Sequence, residues 1–239
     1  MEKINIIIPT LNEHQNIFFL LKKIRKFLKT SIICVVDDSK NDKTEILLKK
    51  KKIKNLLYFH RIGKKGRGSA VLFGLKKILS NKKGSQIFVE MDADFSHNPI
   101  ELKKNLLIFK KNKSDLLISS RYLKQSKIIN WSISRRIFSF LANKLANFFL
   151  RCGVSDYTNG YRIYSKRAVK LILKKCGRIG DGFIVLSEII LILKLKKYRI
   201  NETFTKFVNR IRGESSVNSK LILNSLYGLI KLIIRKYTL

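Results

Sequence analysis

Residues 87–101 read IFVEMDADFSHNPIE, an apolar run that closes on two aspartates one residue apart. The run has the length and content of a buried strand. Its downstream flank has the marks of a helix start, with Ser96 or Asn98 available as a cap, Pro99 suited to the first helical position and Glu101 in the first turn. The same alternation extends outward on both sides. Strands are expected near 4–8, 32–36, 56–60, 86–91 and 115–119, and helices near 14–28, 44–51, 68–79 and 99–109. Strands separated by helices are the mark of βαβ units on a mostly parallel sheet, so the fold class is α/β, a Rossmann-like sheet flanked by helices.

Past Arg121 the pattern changes. Residues 131–150 carry Ile137, Phe138, Leu141, Leu145, Phe148 and Phe149 at spacings of three and four, an amphipathic helix whose stripe is expected to pack on the core rather than face lipid. Residues 217–236 are similar, with Leu223, Leu226, Ile230, Ile233 and Ile234 on one side, and Lys220, Lys231, Arg235 and Lys236 placed to meet a headgroup layer. With 239 residues and 45% hydrophobic content, the chain is expected to form one domain over 1–239.

Composition narrows the setting. Cys34, Cys152 and Cys176 form no C-x-x-C, which argues against a disulfide framework or zinc ribbon and favours a reducing cytoplasm. MEKINIIIPT lacks the features of a signal peptide, and the apolar stretches 183–193 and 221–230 are too short to span a bilayer. The net charge of +35 and runs such as LKKKKIK invite a nucleic-acid reading. The lysines are spread over the whole chain, however, so an anionic membrane surface or a phosphate-rich substrate is the expected partner, and nucleic acid is not.

Chemistry concentrates where the strands end. Ligands of open parallel sheets bind beyond the carboxyl ends of the strands. There Ile8 runs into PTLNE, Val36 into DDSKND and Met91 into DAD, so Asp37, Asp38, Asp42, Asp92 and Asp94 gather at two neighbouring edges. Asp-rich turns are common, but carboxylates packed together repel unless a cation sits among them. Mg2+ or Mn2+, hard ions that take one or two carboxylates plus substrate phosphates, suit a D-x-D at such an edge. HRIGKKGRGSAVLFGLK could bring backbone N–H groups to a phosphate, although it lacks the third glycine of a dinucleotide fingerprint. Arg121, Arg135 and Arg210 are candidate phosphate forks. His14, His60 and His97 are read as a helix start, a strand end and a turn.

Taken together, PTLNE (9–13), VVDDSKND (35–42), GRGSAVLFGLK (66–76), MDADFSHNP (91–99), SSRY (119–122), VSDYTNGYRIY (154–164) and RIRGESS (210–216) resemble, in order, the motifs of dolichol-phosphate mannose synthases. Those enzymes are inverting nucleotide-sugar glycosyltransferases of the GT-A fold. The resemblance implies a nucleotide-sugar half over about 1–122 and an acceptor, membrane-proximal half over about 123–239. It implies that Pro9, Leu11, Glu13, Val36 and Asp38 hold the nucleotide, that Asp92, Ala93 and Asp94 meet the diphosphate and metal, and that Ser96 lies near the metal. Arg121 and Arg210 would contact phosphates, and Arg135 with Ser139 would face the lipid phosphate. Two departures stand out: DDSKNDKT replaces DDGSPDGT, and Ser216 stands where GESK places a lysine, with Lys220 one turn later as a substitute donor-site cation.

The expected reaction is transfer of a hexose, mannose from GDP-mannose first among the choices, onto a polyprenyl monophosphate. A phosphate acceptor is already ionised near neutral pH and needs no general base. A hydroxyl acceptor would need one, and Asp156 or Glu188 are the candidates. A non-catalytic basic binding module would explain the charge and leave the aspartates idle. Attachment is expected at the cytoplasmic face of a membrane, through the two amphipathic helices or a small membrane-protein subunit.

Overall fold

The computed structural model describes residues 4–63, 66–81, 86–210 and 219–238. Its strands β1 (Ile4–Thr10), β2 (Ile32–Asp37), β3 (Leu56–His60), β4 (Ile87–Glu90) and β5 (Leu116–Ser120) match the expected runs to within two residues at each end. Helices α1 (His14–Phe27), α2 (Lys43–Lys51), α3 (Arg67–Leu79) and α4 (Glu101–Lys111) separate them, giving the GT-A-like layering of a mostly parallel sheet between helices.

The seven-stranded sheet also takes in β7 (Arg162–Ser165) and β8 (Ile200–Phe204), in the order β3-β2-β1-β4-β7-β5-β8. All pairings are parallel except those of β7, which runs antiparallel between β4 and β5, with Phe88 opposite Tyr164 and Ile118 opposite Arg162. Sequence periodicity did not show β7. It is four residues long and opens on an arginine, yet Arg162 is fully buried and donates to the carbonyls of Asn159, Leu186 and Tyr157 at 2.8–2.9 Å. A second, two-stranded parallel sheet joins β6 (Lys127–Ile129) to β9 (Lys206–Val208).

Side chains alternate between two apolar cores on opposite faces of the sheet. Ile6, Ile8, Val35 and Val89 pack with Leu20 and Leu102 on one face; Ile7, Cys34 and Val36 pack with Val71 and Leu75 on the other. The second face also receives α6 (Lys166–Lys175) and α7 (Ile184–Leu195). Gly68 and Gly74 let α3 lie close: a Cβ on Gly68 would meet the Gly182 carbonyl oxygen at 2.4 Å, and one on Gly74 would meet Ile7 at 2.8 Å.

Three expectations change. Helix α4 begins at Glu101 rather than Pro99, without a side-chain cap. Asn98 Oδ1 instead accepts the Ile100 N–H at 3.1 Å in a turn ahead of the helix, while the Ser96 N–H donates to Asp94 at 3.0 Å. The apolar stripe of α5 (Ile133–Leu150) does not pack on the core: Ile137, Phe138, Leu141, Leu145, Phe148 and Phe149 are exposed, and the helix seats itself through Asn143, Ala146 and Leu150. On α8 (Ser219–Thr238), among the described side chains, Leu229 and Leu232 are buried along with Gly228, Ile233 is half-buried, and Leu226, Ile230 and Ile234 are exposed beside α5; the side chain of Leu223 lies outside the described residues. Among the described residues no helix is long and apolar enough to cross a membrane.

Candidate active site

Strand β4 delivers Asp92 and Asp94 to the carboxyl edge of the sheet. They line a cavity of about 230 Å³ together with Ser96, Arg121, Arg135, Ser139 and Arg210. These are seven of the eight residues expected to serve metal, phosphates and acceptor, Ala93 being the eighth, and they are drawn from positions more than a hundred residues apart in the chain.

The residues expected to hold the nucleotide are not on the wall of this cavity. Pro9 is buried at the end of β1, Leu11 is exposed just beyond it, and Ala93 is buried between the two aspartates. Glu13 accepts a 2.7 Å bond from Asn16 Nδ2; burial pushes its carboxyl up, opposed first by that bond and then by Arg210, and helped by the nearby charges of Asp94 and Asp92. The Val36 side chain is wholly inside the core, so what it can offer a ligand is backbone. Asp38 is bound fork to fork by Arg61 at 2.6 Å on both oxygens, and Asp37 is saturated by Thr10, Ser39 and Tyr58. The charge of the DD pair is therefore met by an arginine and hydroxyls. Ser216 lies outside the described residues, and the side chain of Lys220 does too.

Arginines also meet the D-x-D. Arg67 donates to Asp92 Oδ1 from Nε at 2.9 Å and Nη2 at 2.6 Å, and to Glu90 from Nη1 at 2.6 Å. Burial alone would raise the Asp92 carboxyl, but Arg67 above all holds it below the usual carboxylate range. Arg210 Nη2 lies 3.4 Å from Asp94 Oδ2. His97, read from sequence as a turn residue, is a strut: its Nδ1 accepts the Asp92 N–H at 2.9 Å, which leaves Nε2 to carry the proton given to Asn159 Oδ1 at 2.9 Å. The ring stacks on Tyr161 with centroids 5.0 Å apart.

Among the described residues no three His, Cys, Asp or Glu side chains converge on one point. The donor set on offer is two carboxylates and the Ser96 hydroxyl, which is buried with no hydrogen-bond partner among the described residues. That set fits Mg2+ or Mn2+, ions that complete their shell with water and substrate phosphates.

Farther into the cavity the charge turns positive. Arg121 is held by Asp156 and by Thr158 Oγ1, the latter at 2.6 Å. It sits 5.4 Å from the Trp131 ring centroid and 5.5 Å from that of Phe207. Arg135 also packs on Trp131, 4.1 Å from the ring centroid, and bonds Asn209 at 3.2 Å. Burial, then the nearby charges of Arg210 and Arg121, lowers the Arg135 pKa, with Asp94 opposing. Ser139 accepts the Tyr122 hydroxyl at 2.6 Å. Beyond Ser139 the walls become apolar: Phe138, Ala142 and Leu145 of α5, Ile184 of α7, and Leu226 and Leu229 of α8.

Sequence reasoning missed Arg67, Trp131 and the Thr158–Asn159 pair. Arg67 opens α3, where a cation opposes the macrodipole, and the carboxylates that hold it, Glu90 and Asp92, are 23 and 25 residues away in the chain.

The glycosyl transferase family 2 profile matches residues 5–173. Among curated proteins, the chain is 35% identical over 170 residues to a polyprenol monophosphomannose synthase of Mycolicibacterium smegmatis, covering 70% of this chain and 63% of that protein. It is 32% identical over 219 residues to an undecaprenyl-phosphate mannosyltransferase of Micrococcus luteus, covering 90% and 88% of the two. The match thus spans somewhat under two thirds of the first relative and most of the second. Among solved structures, glucosyl-3-phosphoglycerate synthase of Mycobacterium tuberculosis in complex with uridine diphosphate superimposes with a TM-score of 0.68 at 14% identity, over 98% of this chain and 80% of that one. The same enzyme with Mn2+, uridine diphosphate and phosphoglyceric acid gives 0.69 at 17%, over 98% and 78%. Fold, strand-end aspartates and profile agree: the chain is a glycosyltransferase and belongs to glycosyl transferase family 2.

Proposed function

We propose that this enzyme transfers mannose from GDP-mannose to a polyprenyl monophosphate with inversion. The observation that carries this reading is the two-part cavity, in which D-x-D carboxylates and three guanidiniums, those of Arg121, Arg135 and Arg210, open into an apolar passage between α5 and α8. An amphiphilic phosphate suits such a space. The names of the mannosyltransferase relatives support the sugar and the acceptor class.

In the proposed reaction an acceptor phosphate oxygen, already ionised, attacks the anomeric carbon as the bond to the nucleoside diphosphate breaks, and the diphosphate leaves with the electron pair. Asp92, Asp94 and Ser96 hold the divalent ion, which when bound offsets the charge growing on that leaving group. Mn2+ in the structural neighbour supports divalent-metal use. Arg210 serves the donor phosphates, Arg135 and Ser139 seat the lipid phosphate, and Arg121 stands between them. The nucleotide is held by the 1–122 half, at Pro9, Leu11, Glu13, Val36 and Asp38, and the acceptor by the 123–239 half. Ser216 keeps its assignment to the donor side.

A hydroxyl acceptor is disfavoured because its candidate bases are committed. Asp156 is fully buried against Arg121, and Glu188 is fully buried against Arg235 and the Gly177 N–H. The outward apolar residues of α5 and α8, with Lys231 and Lys236 beside them, support peripheral attachment to an anionic, cytoplasmic membrane face.

The test is transfer of radiolabelled mannose from GDP-mannose to polyprenyl phosphate, read as label in the organic phase. Label that appears only on glycan hydroxyls, or only with another nucleotide sugar, rejects the reading.

A further inference from the structure

The first aspartate of the D-x-D already holds a cation of the chain's own. Arg67 bridges Asp92 Oδ1 and Glu90 Oε1 through three N–H bonds of 2.6–2.9 Å. Glu90 is fully buried, and its other oxygen accepts the Tyr164 hydroxyl at 2.6 Å, so Arg67 cannot leave without stranding a buried carboxylate. Its seat is built to measure. Gly160 leaves the space that the guanidinium fills, since a Cβ there would lie 1.7 Å from Nη2, and the Phe183 ring covers it 5.6 Å away. Asp92 Oδ1 is thereby occupied, whereas Oδ2 accepts no hydrogen bond among the described residues and has His97 Nε2 3.7 Å away.

We propose that Arg67 is a positioning residue and resident counterion for Asp92: it fixes the carboxylate so that Oδ2 alone serves the divalent ion, and its charge keeps that ion weakly bound until the nucleoside diphosphate arrives. This rests on the reading that Asp92 and Asp94 take a divalent cation. Glu90, Asp92 and Asp94 against Arg67 and Arg210 leave one negative charge in excess, too little to hold a divalent ion firmly. The diphosphate supplies the rest, so metal and nucleotide bind together.

Electron paramagnetic resonance of free Mn2+, titrated with protein in the presence and absence of GDP, tests this without any turnover. The wild-type chain should bind Mn2+ weakly alone and more tightly with GDP. Arg67→Gln, which keeps amide donors but removes the charge, should bind Mn2+ alone about tenfold more tightly, because a repelling cation has gone; Arg67→Lys should stay near wild type. A merely structural arginine predicts the opposite, a weakened site, and an Arg67→Gln affinity equal to or below wild type overturns the proposal. Should that variant not fold, Glu90→Gln keeps Arg67 on Asp92 and removes the buried charge that offsets it, so Mn2+ alone should bind about tenfold more weakly; an affinity equal to or above wild type overturns the proposal. Wild-type protein that binds no Mn2+ even with GDP removes the metal reading itself, and this inference with it.

Discussion

Arg121 and Asp156 meet fork to fork: Nε and Nη2 each lie 2.8 Å from a carboxylate oxygen, and the Arg121 backbone N–H reaches the same group at 3.0 Å. Burial alone would push the Asp156 carboxyl up and the Arg121 guanidinium down. Each holds the other charged instead, so Asp156 falls below the usual carboxylate range and Arg121 rises. Asp156 also accepts the N–H groups of Thr158 and Asn159, so one buried carboxylate orders the loop that supports both Arg121 and His97.

Asp156→Asn should therefore cost about 3 kcal/mol of stability, the scale for breaking a buried pair from one side. It should also lower transfer sharply, because Arg121 loses its seat. Urea unfolding followed by the fluorescence of Trp131, the single tryptophan and a cavity residue, reads both the stability and the site.

Acid should destabilise the fold in a defined window. Asp92, Asp115 and Asp156 all have depressed folded pKa values, by partnership with Arg67, Arg167 and Arg121 respectively, which overcomes burial in each case. A carboxylate depressed in the folded state contributes stability that is fully present above its unfolded value, near about 4, and is lost as pH falls through the folded value. Unfolding free energy from these groups should be flat between about pH 5 and 8 and decline below about pH 4. A decline centred near neutral pH would contradict the assignment.

Asp94→Ala should abolish metal-dependent transfer, with turnover down by about a thousandfold or more, while leaving the fold intact. The Asp94 carboxylate bonds the Ser96 N–H and faces Arg210, and it holds up no core element. Unchanged turnover would defeat its proposed role.

Gly68→Ala sets helix propensity against packing. Alanine favours a helix interior by about 1 kcal/mol, yet here its methyl would meet the Gly182 carbonyl oxygen at 2.4 Å and Val185 at 2.5 Å. Overpacking should win, with a net loss of about 2 kcal/mol in thermal or denaturant unfolding.

Ile137→Ser, Leu141→Ser and Phe148→Ser combined should leave stability nearly unchanged, since all three side chains are exposed. Sedimentation with vesicles of anionic phospholipid should nevertheless show binding reduced by at least a hundredfold, because each buried side chain of this size is worth about 1.5 kcal/mol or more. Binding equal to the parent chain would remove α5 from the membrane-facing surface.

The α/β architecture was legible because strand runs such as Ile4–Ile8 and Ile32–Val36 are buried on both faces and read as continuous apolar segments. The aspartates of the D-x-D stood out because a strand end is a local feature. Strand β7 was not legible: its antiparallel place beside β4 is set by partners some seventy residues away, and Arg162 disguises it. Nor could periodicity tell what the α5 stripe meets, since spacing shows only that apolar residues share a side. The pairing of Arg67 with Asp92 spans 25 residues and crosses from a helix start to a strand end.

Local chemistry written along the chain was enough to determine which segments become strands, where the acidic residues fall relative to strand ends, and that two late helices have an apolar side. Only the tertiary structure decided that Arg121, Arg135 and Arg210 converge on those aspartates, that Asp156 and Glu188 are consumed by ion pairs, and that the apolar side of α5 looks outward. The reason is range: propensity and periodicity act over a few residues, whereas burial and charge pairing are settled by groups that meet only once the chain has folded.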